Sequence, residues 1–140
     1  MVDTRDSIAK DQIQTHEKLM TEVYLDSLGN PTCGIGHLLS VGSYVPMEVV
    51  EAFFLYDYKK ALRAYRSFKF NDVNTARRTA LIDMIFNLGQ NGFAKFTKMI
   101  EAIYNNDWDT VAKEAKDSKW YNQVGNRGKK IVKQLKTGVL

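Results

Sequence analysis

The chain is poor in the residues that cross-link, punctuate and ligate. Its 140 residues include one cysteine, two prolines and two histidines. The lone Cys33 excludes an internal disulfide. Flanked by Thr32 and Gly34 in an apparent strand, it reads as a small buried apolar residue, with only His37 close enough in sequence to activate it as a nucleophile. His16 and His37, without a second cysteine or paired-ligand spacing, do not make a metal site, and no cofactor is expected. No apolar run approaches the length needed to cross a bilayer. The opening Met1-Val2-Asp3-Thr4-Arg5-Asp6 is polar and lacks the apolar core of a signal peptide, so synthesis in a cytoplasm is expected. There is no internal repeat, low-complexity tract or disordered linker.

What is present suffices for a core. The chain is 44% hydrophobic and 11% aromatic, which suits one domain or two small lobes sharing a helix. The net charge of +4 is uneven: Lys113 to Leu140 holds eight basic residues against Glu114 and Asp117, a net +6, leaving −2 elsewhere. Such a segment suits a polyanion, whether nucleic acid, anionic membrane or acidic wall polymer, or is simply a solvated helical face. No nucleic-acid recognition motif accompanies it, so nucleic acid is not expected as a partner.

The pattern predicts a helix from Ser7 to about Met20, capped by Asp6 or Ser7, with a thin apolar stripe of Ile8, Ile13 and Leu19. Thr21 to Leu25 alternates like a strand, Ser27-Leu28-Gly29-Asn30-Pro31 is turn chemistry, and Thr32 to Leu39 returns as a second strand broken by Gly34 and Gly36. A helix from Met47 to about Phe68 carries Val50, Phe53, Phe54, Tyr58, Ala61, Leu62 and Tyr65 at helical spacing. Thr75 to Leu88 is the most apolar helix and ends at Gly89. Further helices are expected over Phe93 to Asn105, Asp107 to Lys116, around Ser118 to Tyr121, and Arg127 to Leu135. Trp108 and Trp120 read as core.

Glu17 at a helix end, with Asp26 and Thr32 on a tight hairpin, places two carboxylates and a hydroxyl on separate elements. Two carboxylates held apart are the equipment for hydrolysing a glycosidic bond.

The block Glu17, then Tyr24-x-Asp26-x-x-Gly29-x-x-Thr32-x-Gly34-Ile35-Gly36-His37-Leu38-Leu39, resembles the active-site segment of bacteriophage T4-type lysozymes, glycoside hydrolase family 24. Arg77-Arg78-x-Ala80-Leu81-Ile82-x-Met84-x-Phe86-x-x-Gly89-x-x-Gly92 agrees with a second family block. Trp108-Asp109 and Ser118-x-Trp120-Tyr121-Asn122-Gln123-x-x-Asn126-Arg127 agree with a third. The resemblance implies an α+β, mostly helical, two-lobe lysozyme-like fold over residues 1–140. It would have a β-hairpin lobe at about 15–45, a linking helix at about 47–68, and a helical lobe at about 75–140 on which the first helix packs.

It further implies a muramidase that cleaves peptidoglycan glycan strands between N-acetylmuramic acid and N-acetylglucosamine with inversion. Glu17 would be the general acid, and such an acid must hold its proton near neutral pH. Asp26 would stay ionised and help activate water, with Thr32 positioning that water. His37, paired with Asp57, and Arg127, near Glu17, would support the site, while Leu38 and Phe86 would contact the glycan. Lys18 stands where family members usually have glycine, and a cation there would favour the ionised form of the acid. A domain that binds peptidoglycan or another protein with little hydrolysis is the alternative. The protein is expected to act on the cell wall, as a free endolysin or as part of a phage tail or baseplate, and to be monomeric as an isolated domain.

Overall fold

The computed structural model describes residues 4–17 and 19–140. It is α+β and 65% helical. The chain divides into two units, Met1–Pro46 and Met47–Leu140.

The first unit opens with α1 (Thr4–His16), followed by β1 (Leu19–Leu25), β2 (Pro31–Ile35) and β3 (His37–Leu38), in one antiparallel sheet of order β1-β2-β3. The sequence pattern carries the first helix to Met20, but Leu19 and Met20 pair with Ile35 and Gly34 in the sheet. The helix therefore stops at His16, and the Glu17 N–H closes its last turn on Ile13 O at 2.8 Å. The expected second strand is two strands, because Gly36 turns the chain with φ +66° and brings His37 opposite Cys33. Cys33 is half-buried rather than buried. No residue of α1 is buried, as its thin apolar stripe leads one to expect.

The second unit begins with α2 (Met47–Ser67), which Pro46 immediately precedes. Proline lacks an N–H and suits a helix start. Then come α3 (Thr75–Ala94), α4 (Thr97–Tyr104), α5 (Trp108–Lys116), α6 (Lys119–Val124) and α7 (Asn126–Thr137). Capping side chains mark the boundaries: Asn74, Asp107 and Ser118 accept from the backbone N–H of Arg77, Thr110 and Tyr121. Gly89 leaves helical geometry at φ 74°, ψ 166°, as the predicted stop requires, but the helix resumes beyond it to Ala94.

Leu81, Met84, Ile85, Phe93, Met99, Ile103, Val111, Ile131 and Leu135 form the core of this unit. Trp120 is buried, and its indole N–H donates to Asn87 Oδ1 at 2.9 Å. Trp108 is partly buried against the same core. The apolar face expected of α2 is buried only in its second half, at Ala61, Ala64 and Tyr65, whereas Val50, Phe53 and Phe54 are exposed. Arg77 ties α3 to the end of α7: its Nε donates to Leu135 O at 2.9 Å and its Nη2 to Lys136 O at 3.1 Å.

Candidate active site

In the first unit, a tight turn between β1 and β2 organises two of the expected groups. Asp26 heads this turn as an Asx residue, a role that suits a short acceptor side chain. Its Oδ1 accepts from Leu28 N at 2.9 Å and Asn30 N at 2.8 Å, and its Oδ2 from Asn30 Nδ2 at 3.4 Å. The N–H of Asn30, above all, holds the Asp26 carboxyl below its ordinary value of 3.8. Partial desolvation opposes it, and the Leu28 N–H, the Asn30 amide and the Gly29 N–H reinforce it. Asp26 is thus a carboxylate biased towards its charged form.

Thr32 is connected to Asp26 through the same neighbour. Asn30 O accepts from Asp26 N at 2.9 Å and from Thr32 Oγ1 at 2.9 Å. With its proton directed to Asn30, the Thr32 hydroxyl keeps its lone pairs for an incoming donor. Thr32 lies in the middle strand, opposite Tyr24 and Leu38, and is only 4% exposed.

Glu17 is exposed, at the bend that follows α1. Its carboxyl group lies over Gly36: a Cβ built on Gly36 would stand 2.9 Å from both Glu17 Cδ and Oε2. Glu17 and Asp26 therefore flank β1 at opposite ends. The strand between them is irregular, with a register shift between Met20 and Tyr24. His37 and Leu38 form β3, and both are exposed.

In the second unit, Phe86 is 37% exposed and meets the Phe54 ring at 5.9 Å between centroids. It borders two depressions. One, of about 320 Å³, is lined by Asp57, Lys60, Ala61, Ile85 and Gln90 among others. The other, of about 280 Å³, is lined by Tyr58, Arg78, Ile82 and Arg127 among others. Arg127 Nε donates to Asp83 Oδ1 at 2.9 Å, and the two side chains form an ion pair.

A model of the family described as phage lysozyme matches residues 14–137. The chain belongs to the phage lysozyme family. It is 30% identical over 159 aligned residues to the pre-baseplate central spike protein Gp5 of Enterobacteria phage T4, covering 93% of this chain but only 28% of that protein. Two proteins of Dictyostelium discoideum, named probable T4-type lysozymes 1 and 2, are 27% and 26% identical over 164 residues, covering 96% of this chain and 96% of each of them. Those alignments are longer than the 140-residue chain, so these phage lysozyme relatives carry residues without counterpart here.

Within this family chain, the first unit brings Asp26 and Thr32 together through Asn30, and Glu17 onto the sheet through Gly36. His37 lies in the first unit, and Asp57 and Arg127 in the second. Lys18 and its expected influence on Glu17 lie outside the described residues. Asn30, Gly36 as a neighbour of Glu17, and Asp83 as the partner of Arg127 are functional neighbours that the folded structure reveals. The Asp-x-x-x-Asn spacing around Gly29 carried a signal for Asn30. Nothing in the sequence singles out Asp83.

Proposed function

We propose that this chain is a muramidase that hydrolyses the β-1,4 bond between N-acetylmuramic acid and N-acetylglucosamine in peptidoglycan. The observation that carries the reading is the Asp26–Asn30–Thr32 arrangement. It supplies a carboxylate held in its charged form and a hydroxyl with free lone pairs on one turn, with Glu17 at the far end of β1. Family membership supports the same chemistry.

Glu17 acts as the general acid, giving its proton to the glycosidic oxygen as the bond from the anomeric carbon breaks. A water attacks that carbon from the opposite face, oriented by Thr32 Oγ1, and passes a proton to the Asp26 carboxylate. Negative charge on Asp26 also favours the positive charge that develops on the sugar. Inversion, which the family resemblance implies, requires the two carboxyl groups to stand about 6.5–9.5 Å apart across the sugar, leaving room for this water. Leu38 and Phe86 contact the glycan, and His37, Asp57 and Arg127 support the site. The apolar flank of Phe86 between two depressions supports its role. The cell wall is the place of action, and the likeness to a baseplate spike protein supports a place in a phage tail.

The test is release of muropeptides from purified peptidoglycan by the wild type beside Glu17→Gln. The variant is expected to lose on the order of 10²–10⁴-fold in rate. Equal rates from both, or none from either, sink the enzymatic reading. Retained binding to insoluble peptidoglycan without lysis would instead favour a binding module.

A further inference from the structure

Gly36 occupies a position where two separate demands coincide. Its φ of +66° favours glycine, and a Cβ there would meet Glu17 Cδ and Oε2 at 2.9 Å and Cγ at 3.3 Å. Gly34, two residues earlier, has nearly the same φ of +62° but nothing within 4 Å of its would-be Cβ. The neighbouring pair therefore separates backbone preference from steric seat. Carbon atoms pack best at roughly 3.5–4.0 Å, so an alanine at Gly36 must displace the Glu17 carboxyl group or the turn.

Both sides of the contact are anchored. The Glu17 N–H bonds Ile13 O at 2.8 Å, which fixes its Cα to the end of α1. Gly36 is held between β2 and β3 by the Cys33–His37 pair, and Leu39 N donates to Pro31 O at 2.8 Å just beyond. Because the contacted atoms are the far end of the exposed Glu17 side chain, a Cβ on Gly36 would push the carboxyl group aside while both backbones stay in place.

We infer that Gly36 is a positioning residue for Glu17, its bare Cα forming the seat on which the carboxyl group lies. Oε2 rests on the seat. The positioning role depends on the proposed role of Glu17 as the acid, but the seat itself does not.

The experiment compares Gly36→Ala with Gly34→Ala in the full chain, using two readouts. The first is the ¹³C resonance of the Glu17 side-chain carboxyl at fixed pH. It is expected to move in Gly36→Ala and to stay in place in Gly34→Ala. The second is the split between kcat and KM on soluble glycan chains. Gly36→Ala is expected to lose kcat on the order of a hundredfold at unchanged KM, beyond any loss in Gly34→Ala, as for a misplaced reacting group. If Gly36→Ala unfolds the hairpin, the same substitution is made in a Glu17→Ala chain. Return of the hairpin signals to the level of Gly34→Ala supports the seat, and failure to return overturns it. Matching carboxyl shifts and matching kcat losses in the two alanine variants also overturn it. A wild type without hydrolysis sinks the proposed function alone, because the carboxyl resonance still decides the contact.

Discussion

The guanidinium of Arg77 stands 4.7 Å from the centroid of the Trp108 ring while two of its nitrogens hold carbonyls at the end of α7. One side chain thus joins the starts of α3 and α5 to the last turn of α7. Arg77→Ala should cost about 1.5–3 kcal/mol through its charged hydrogen bonds, read by urea denaturation. Arg77→Lys should recover only part of that loss, since a single ammonium cannot reproduce the planar fork or its stacking. Full recovery by lysine would show that charge alone matters here.

Asn87 accepts the only hydrogen that the buried Trp120 indole offers. Asn87 is itself exposed, so water can reach the N–H that Asn87→Ala vacates, and the expected destabilisation is about 0.5–1.5 kcal/mol. Asn87→Asp retains the acceptor and should cost less. Denaturation midpoints of the two variants, with Trp fluorescence as the probe, check the order.

The Arg127–Asp83 pair is of a different kind. Its side chains are 40% and 41% exposed, so water screens the pair. Asp83→Ala should change stability by no more than about 1 kcal/mol. Arg127→Ala should lower wall lysis at a nearly unchanged melting temperature if Arg127 supports the site. Parallel loss of activity and melting temperature would assign it to stability instead.

The pH dependence of the hairpin follows from Asp26. Its folded-state value is lowered, chiefly by the Asn30 N–H, from an ordinary value of 3.8. A lowered carboxylate stabilises the folded turn above its unfolded value, and the contribution disappears as pH falls through the folded value. The turn should therefore be intact at neutral pH and loosen only below about 3.8. Carboxyl ¹³C titration of Asp26 should give a midpoint beneath that value, and an ordinary midpoint would show that the turn bonds do not form in solution.

Much of this structure was legible from residue order. Asn30 and Pro31 after Gly29 announce the turn and Pro46 the start of α2, because each acts through its own backbone, whereas Gly89, which reads as a helix end, is a break inside a helix that continues to Ala94. Periodicity also places α2, but it cannot tell which half is buried. Val50, Phe53 and Phe54 share helical spacing with Ala61 and Tyr65, yet only the latter two are buried. Spacing points to Glu17, Asp26 and Thr32 but not to their partners Gly36 and Asn30. A missing Cβ and a backbone carbonyl leave little mark on a one-dimensional pattern. Asp83 meets Arg127 across 44 residues, a relation that exists only after α3 and α7 have packed.

The carbonyl of Asn30 receives both the Asp26 N–H and the Thr32 hydroxyl, and this has a genetic consequence. Substitution at 26 keeps that N–H but removes the carboxylate that holds the Asn30 N–H and side-chain amide, and substitution at 32 removes the hydroxyl from the Asn30 carbonyl, so both act on Asn30 and their effects should not combine as independent losses. Epistasis is built into the turn. A lineage that replaces Thr32 would meet a different set of tolerated changes at Asp26 than one that keeps it.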